Sequence, residues 1–145
     1  MFGIEDQEDF LDNLLTKFHE NHSLILQLRI NIAKELGRGE SNDLEEAGKD
    51  ILEKKIMFCE ELLAVMNMIE PGLSIIRGTL LYELADAVMA REKKHGKGSL
   101  ENKYEACEKY LKEAMKCLEN DKDKELKQLC TKIQKMRNEL YKVIQ

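Results

Sequence analysis

Two of the three histidines and all four cysteines are the side chains with the clearest capacity for chemistry. His19 and His22 are three residues apart, a spacing at which two imidazoles on one helix can hold a metal ion together. They fall in the segment HENHS between two apolar-periodic stretches, and no third ligand stands at a suitable spacing. We expect these histidines to flank a helix break, and we predict no metal site in the chain.

The cysteines could supply a thiolate, a zinc ligand or a disulfide. Cys59, Cys107, Cys117 and Cys130 are too widely spaced for a paired-cysteine zinc site. Each falls at an apolar position of a helical pattern, which suits a reduced thiol packed in a core. A regulatory thiol or a disulfide is the alternative.

The remaining polar residues form no recognised catalytic pattern. The sequence has no glycine-rich phosphate loop, no nucleophile elbow and no pair of carboxylates in an apolar setting. The 28 Asp and Glu residues are explained by exposed helix faces, where for example Glu108 and Lys112 can pair one turn apart. We predict no catalytic and no cofactor-binding residue in this chain.

Composition indicates one all-helical domain covering residues 1–145. A chain of 145 residues can bury a core of its own, and eight Gly and one Pro are too few for the turns of a β-sandwich. The net charge of -5 argues against a nucleic-acid partner, since phosphate binding needs a concentrated basic surface. No apolar run has the length of a membrane span, and the N-terminus is acidic where a secretory signal is basic. We expect an intracellular protein, cytoplasmic or nuclear, without a membrane partner.

Apolar residues recur at helical spacing and predict about six helices joined by short loops. The first is expected from Ile4 to Phe18, the second after a cap at Asn21 or Ser23, the third from Asp43 to Ile69, and the fifth after Ser99. The expected inner faces of the six helices are, in chain order, Phe10, Leu11, Leu14 and Phe18; Leu24, Leu28, Ile32 and Leu36; Leu52, Ile56, Cys59, Leu63 and Met66; Leu73, Leu80, Leu84, Ala87 and Val88; Leu100, Tyr104, Cys107, Leu111, Ala114 and Leu118; and Leu126, Leu129, Ile133, Met136, Leu140 and Val143.

Short loops between helices of similar length favour antiparallel neighbours, so we expect about three α-hairpins. These can stack into a tetratricopeptide-like superhelical array or close into a bundle. The segment YEACEKYLKEAMKCLEND, with small residues among large apolar ones, favours the array, although no 34-residue period is found.

The stretch EPGLSIIRGTLLYEL contains three residues that call for a structural reason. Pro71 ends the third helix and suits the first position of the fourth. Arg77 falls on the apolar face of the fourth helix, so we expect it to reach a carboxylate or the carbonyls of a neighbouring helix end; holding a ligand anion is the alternative. Gly78 predicts the close approach of another helix, which would offset its helix-propensity cost of roughly 1 kcal/mol.

Methionines and a basic segment provide candidates for partner binding. Met57 and Met89 could line an adaptable groove, although core filling is the usual role of methionine. Arg91, Lys93 and Lys94 of REKKHGK could contact an acidic partner, or could simply be a solvated helix end.

Two long segments resemble a known family. FHENHSLILQLRINIAKELG, and the run from KKIMFCEELLAVMNMIEPGLSIIRGTLLYELADAV into YLKEAMKCLEND, are similar to the C-terminal helical region of SET and MYND domain proteins of the arthropod type. The resemblance implies the non-catalytic, tetratricopeptide-like domain of an S-adenosylmethionine-dependent protein-lysine (histone) methyltransferase, which packs against the SET domain and walls one side of its substrate cleft. Glu20 stands where the family has proline in a His-Pro-Asn-His phrase.

The family's catalytic signatures are not carried by these residues. Asn21-His22-Ser23 imitates a cofactor-holding SET phrase, but Leu24 replaces its cysteine, and the sequence has no dense Cys/His cluster for a MYND zinc finger. S-adenosylmethionine and zinc are therefore expected only in SET and MYND parts outside this chain. We predict a non-catalytic domain that binds protein or peptide; the alternative is a stand-alone helical bundle acting as an adaptor or as a carrier of a small apolar ligand.

Overall fold

The protein is all-α, as the sequence predicts. The computed structural model describes residues 3–17, 23–38, 44, 47–69, 75–95, 101–118 and 124–144, and no strand occurs in these ranges. The six helices are α1 (Ile4–Leu15), α2 (Ser23–Glu35), α3 (Lys49–Ile69), α4 (Ile75–His95), α5 (Glu101–Leu118) and α6 (Lys124–Ile144). None of these described helices is long and apolar enough to cross a membrane.

The start of α3 lies later than expected. The sequence predicts a helix from Asp43, whereas α3 begins at Lys49. Before it, Ala47 donates its N–H to the carbonyl of Leu44 in a turn, and both side chains are buried. The burial of these two residues beside Gly37, at the end of α2, takes the place of the first helical turn expected from Asp43.

Gly37 ends α2 in the left-handed conformation, with φ of 81°. A side chain at this position would be strained, and a Cβ atom would also lie only 3.2 Å from Leu44 and 3.3 Å from Ile51. The glycine therefore lets α3 pack closely over the end of α2 and sets the direction in which the chain continues into Arg38.

The central helix of the molecule is α4. It packs extensively on α3 and α5 and also contacts α2. Every residue from 80 to 85 is buried, including Glu83. The prediction of a single apolar face for α4 is therefore incomplete, because α2, α3 and α5 cover this helix on several sides.

The inner faces predicted for α3 and α5 are confirmed wherever the structure describes them. All five predicted residues of α3 are buried, as are Tyr104, Cys107, Leu111, Ala114 and Leu118 of α5. On α6, Ile133 and Leu140 are buried and the helix packs on α5. The predicted residues Phe18, Leu73 and Leu100, and the side chain of Val143, lie outside the part of the chain that the structure describes.

The predicted faces of α1 and α2 are partly wrong. Phe10 is 41% exposed and Leu24 is 47% exposed. On α2, Ile25 and Ile32 pack with α1, whereas Ile30 and Ala33 join the main core. A helix that lies between two others buries two faces, so a single stripe does not describe it.

Among the residues that the structure describes, the core forms two clusters. The larger one joins α2 to α6, and a smaller one consists of Leu11, Leu14, Ile25 and Ile32 between α1 and α2. Each helix packs on the next in chain order, and α2 with α4 is the substantial contact between non-consecutive described helices. This arrangement is compatible with an array of hairpins and with a bundle.

Candidate binding cleft

A cleft of about 590 Å3 opens over α4, between the end of α2 and the first half of α6. Its walls include Lys34 and Glu35 on α2, and Leu129 and Lys132 on α6. The start of α1 closes one side. Two of its walls come from α2 and α6, which are far apart in the chain and are not in substantial contact. The cleft therefore forms only when the chain folds.

An ion-pair network forms the floor of this cleft. The Arg38 guanidinium donates from Nε (3.1 Å) and Nη2 (2.7 Å) to Glu83 Oε2, and its Nη2 also donates to Asp86 Oδ2 at 2.7 Å. The same guanidinium lies 5.8 Å from the centre of the Tyr82 ring, within cation–π range. Arg38 is thus held by two acidic side chains and an aromatic face, all supplied by α4.

Lys55 of α3 completes the network beneath the cleft. Its side chain is fully buried, and its Nζ donates to the carbonyls of Ala33 (2.8 Å), Lys34 (3.1 Å) and Leu36 (3.0 Å). The ammonium also lies 2.8 Å from Glu83 Oε2. Carbonyls at a helix C-terminus have no partner within the helix, so Lys55 caps α2 and joins it to α3 and α4.

Among the described residues, the network pairs two cations with two carboxylates. Burial lowers the pKa of Lys55, while Glu83 opposes this shift. For Arg38, burial acts to lower the pKa, but Glu83 and Asp86 outweigh it and raise the pKa. Burial also raises the pKa of Tyr82 to about 12. The floor is therefore a rigid, neutral surface in which the cations remain paired.

The walls of the cleft carry charges that the network does not use. Glu35 accepts a 2.8 Å hydrogen bond from Gln7 Nε2. Lys34 and Lys132 are exposed and form no ion pair with any residue in the described ranges. Leu126 and Leu129 add apolar surface from α6. The cleft thus offers a rigid floor, apolar patches and wall charges of both signs, with Lys34 and Lys132 beside the carboxylates of Glu35 and Glu125.

A second, smaller cavity of about 300 Å3 lies where the end of α4 meets the start of α5 and the end of α6. Met89, Tyr104 and Leu140 line it, together with Lys93, Glu139 and Lys142. Among the described residues, none lines both this cavity and the cleft.

Of the three residues for which the sequence predicts a structural role, the structure describes Arg77 and Gly78. Arg77 Nη2 lies 3.3 Å from Glu113 Oε2 of α5, the carboxylate pairing that its position predicts, but its side chain is 24% exposed and therefore less buried than expected. Gly78 is buried against α5, and a Cβ atom there would be 2.8 Å from both Cys117 Cβ and Leu118 Cγ. The predicted close approach of a helix at Gly78 is therefore present. Pro71 lies outside the described residues.

The candidate partner-binding residues are not brought together as one set. Met57 is 53% exposed on α3 and lines neither cavity, whereas Met89 and Lys93 both line the smaller one. Arg91 Nε lies 3.1 Å from the buried carboxylate of Glu92. The side chain of Lys94 lies outside the part of the chain that the structure describes.

The cysteines are free thiols, and Cys59 and Cys107 are buried as core positions predict. Burial raises the pKa of each of these two thiols to about 12, so both are protonated at neutral pH. In the described ranges, no three His, Cys, Asp or Glu side chains are grouped as metal ligands would be. His19 and His22 lie outside those ranges.

Sequence reasoning missed the network itself. Lys55 occupies a core position in the spacing Leu52, Lys55, Cys59, Leu62 and Met66, all of which are buried. Glu83 similarly lies between Leu80 and Ala87 on α4. Opposite charges at core positions of consecutive helices were the available signal, since a buried charge requires a partner.

The fold and the cleft together define an all-α protein with an open, partly charged groove. No family model matches the chain, and no curated protein and no solved structure is significantly similar to it.

Proposed function

We propose that this chain is a non-catalytic helical domain that binds a protein segment in the cleft between α2, α4 and α6. The observation that carries the proposal is the cleft itself, which has two walls from helices that are not in substantial contact and a floor from a third. Helical arrays bind extended peptides and partner helices in open grooves of this kind.

The chemistry of the cleft favours a segment that combines acidic and apolar side chains. Lys34 and Lys132 lie on different walls and are available for pairing, while Leu126 and Leu129 supply apolar contacts. Arg38 is already neutralised by Glu83 and Asp86, so the floor contributes shape more than charge. A preformed floor also reduces the entropy lost on binding.

The test is a peptide selection followed by binding measurements. Peptides selected on the purified chain from a random display library should be enriched in Asp and Glu beside apolar residues. Their affinity should fall roughly tenfold for the double variant Lys34→Glu and Lys132→Glu, because two favourable pairings become repulsive. Lys127→Glu, an exposed charge reversal on α6 that does not line the cleft, is the matched control.

A second variant tests the shape of the cleft. Thr79→Trp places a large side chain on the α4 surface that faces the cleft, and it should weaken the same peptides without lowering the thermal unfolding temperature. Selected peptides that bind the charge-reversed and Thr79→Trp variants as tightly as the unmodified chain would show that the cleft is not the binding site.

We further propose that the domain belongs to a SET and MYND type protein-lysine methyltransferase. The support is the sequence resemblance of residues 18–37 and of the run from residue 54 to residue 121. In such a protein the domain would pack on a SET domain, which would carry the S-adenosylmethionine site, while zinc would belong to the MYND part.

The mass of the native protein tests this assignment. An immunoblot of source tissue with an antibody to this chain should reveal a band several-fold heavier than 16.8 kDa. A native band near 16.8 kDa would instead support a free-standing helical adaptor and would contradict the methyltransferase assignment.

A further inference from the structure

The outer face of α3 carries a row of exposed apolar side chains. Met57 is 53% exposed and Met68 is 82% exposed, and Ala64 between them is also exposed. At about 100° per residue these three lie within roughly 40° of one another, on the side of the helix opposite the buried Cys59 and Met66. We call this row the methionine stripe. It is roughly 16 Å long, and its residues are spaced like the contact positions of a helix–helix seam.

Carboxylates flank the methionine stripe on both sides. Glu53 and Glu60 lie along one edge of it and Glu61 along the other, and all three are exposed. None of them forms an ion pair with a residue in the described part of the chain. Of the lysines nearby, Lys54 is already paired with a carboxylate of α1, and Lys49 lies at the start of the helix. The outer face of α3 is therefore apolar along its middle and negative along its edges.

This pattern defines the chemistry of what can cover it. Nucleic acid is repelled by the carboxylates. The basic helix α6 of a second copy matches them in charge, but in its described part Tyr141 is the one large apolar side chain that is exposed. A second copy would thus leave the methionines without a matching apolar row. A helix with an apolar row and basic flanks complements both features of the outer face of α3.

We propose that the methionine stripe binds a basic amphipathic helix of a partner protein. Apolar side chains of the partner pack on Met57 and Met68, whose flexible thioether side chains adapt to different shapes, and its Lys or Arg residues pair with the flanking glutamates. None of the stripe residues lines the cleft between α2, α4 and α6, so this surface is separate from the peptide site proposed above.

The experiment measures binding of a fluorescein-labelled peptide to the full chain by fluorescence anisotropy. The peptide has about 15 residues, enough to follow the stripe, with leucine at the heptad contact positions and lysine elsewhere. Glu60→Lys combined with Glu61→Lys should weaken its binding roughly tenfold, because two pairings become repulsive. Glu105→Lys combined with Glu139→Lys, at exposed positions of α5 and α6, changes the net charge equally and should leave the affinity unchanged.

The apolar contribution is tested separately. Met57→Gln combined with Met68→Gln should also weaken binding roughly tenfold, while the thermal unfolding temperature stays the same because both side chains are exposed. A peptide of the same composition, with its leucines spread evenly around the helix, should bind at least roughly tenfold more weakly.

Three results would overturn the proposal. One is equal binding of the two peptides, which would show attraction by charge alone. Another is an unchanged affinity in either the glutamate or the methionine double variant. The third is a dimer of the free chain that dissociates in the methionine double variant, which would assign the stripe to a second copy. The cleft variant with Lys34→Glu and Lys132→Glu should not weaken binding of the basic peptide, so the two proposals can fail independently.

Discussion

Lys55 of α3 is the residue that connects α2, α3 and α4 through its buried ammonium group. It is fully buried, yet three carbonyls and one carboxylate lie within 3.1 Å of its Nζ atom. Burying an ammonium is unfavourable unless it is paired and hydrogen-bonded, and here every partner depends on the placement of another helix. The side chain therefore stabilises one particular arrangement of α2, α3 and α4.

Replacing Lys55 by methionine should lower the free energy of unfolding by about 3 kcal/mol, because the α2 carbonyls and Glu83 lose their buried partner. Urea denaturation followed by circular dichroism measures the change. Lys54→Met is the matched control, since Lys54 is 43% exposed and pairs with Glu8 at 2.6 Å, and it should cost less than about 1 kcal/mol. Equal losses from the two substitutions would contradict a special role for Lys55.

The buried thiols predict a pH dependence. Burial raises the pKa of Cys59 and Cys107 from 9.0 to about 12, so above pH 9 the unfolded chain releases these protons before the folded chain does. Their contribution to stability is thus complete below pH 9 and is lost as pH rises towards 12, at a slope of roughly 1 kcal/mol per pH unit for each thiol.

Unfolding free energies measured from about pH 8 to about pH 11 test this prediction. Combined Cys59→Ala and Cys107→Ala substitutions should flatten the decline. Ile56→Val combined with Ile133→Val, two buried substitutions without an ionisable group, is the control and should leave the slope unchanged. A decline that is the same in both double variants would assign it to other groups.

At the scale of the elements, the contact between α4 and α5 depends on Gly78. A Cβ atom at this position would meet the Cβ atom of Cys117 and the Cγ atom of Leu118, each at 2.8 Å. The leucine side chain can rotate away, but a Cβ atom moves only with its backbone, so α5 would have to shift. The glycine is explained by helix packing, with no ligand required.

Gly78→Ala should therefore destabilise the protein by about 1–2 kcal/mol, since overpacking outweighs the helix-propensity gain of alanine. Chemical denaturation gives the value. Gly48→Ala is the matched control because a Cβ atom there meets nothing within 4 Å, and its effect should stay below about 1 kcal/mol. A neutral or stabilising Gly78→Ala substitution would mean that α5 yields easily at this point.

At the scale of the whole molecule, stability is unevenly distributed between the two core clusters. The larger cluster links five helices around α4, whereas α1 is attached mainly through four buried residues and the polar contacts of Gln7 and Glu8. Helices with few apolar contacts open locally before the rest of a domain unfolds.

Hydrogen exchange should therefore be roughly tenfold or more faster at the amides of α1 than at those of α4. Leu14→Ala should accelerate exchange in α1 and leave α4 protected, because Leu14 belongs to the smaller cluster. Leu84→Ala, in the larger cluster, should accelerate exchange throughout. Equal exchange rates in α1 and α4 would contradict this expectation, because they would show that both helices open in one cooperative unit. Such a result would support the prediction of a single domain.

The amino-acid sequence by itself determined the local features of this protein. Helical periodicity predicts the six helices and the inner faces of α3 and α5, because each of those helices buries one stripe of residues. Glycine at 78 likewise predicts a close helix contact. Periodicity predicts less for α2 and α4, since a helix with several neighbours no longer has one apolar face.

Only the tertiary structure decided which charged residues are buried and where the cavities lie. Arg38, Lys55 and Glu83 come from three separate segments. Lys55 and Glu83 stand at core positions of their helices, but the sequence does not say which partner each of them meets. They form a network because the end of α2 lies against α3 and α4, which fixes the distances among them. The cleft has the same origin: its walls are set by which helices pack together and which do not, and that depends on contacts distant in sequence.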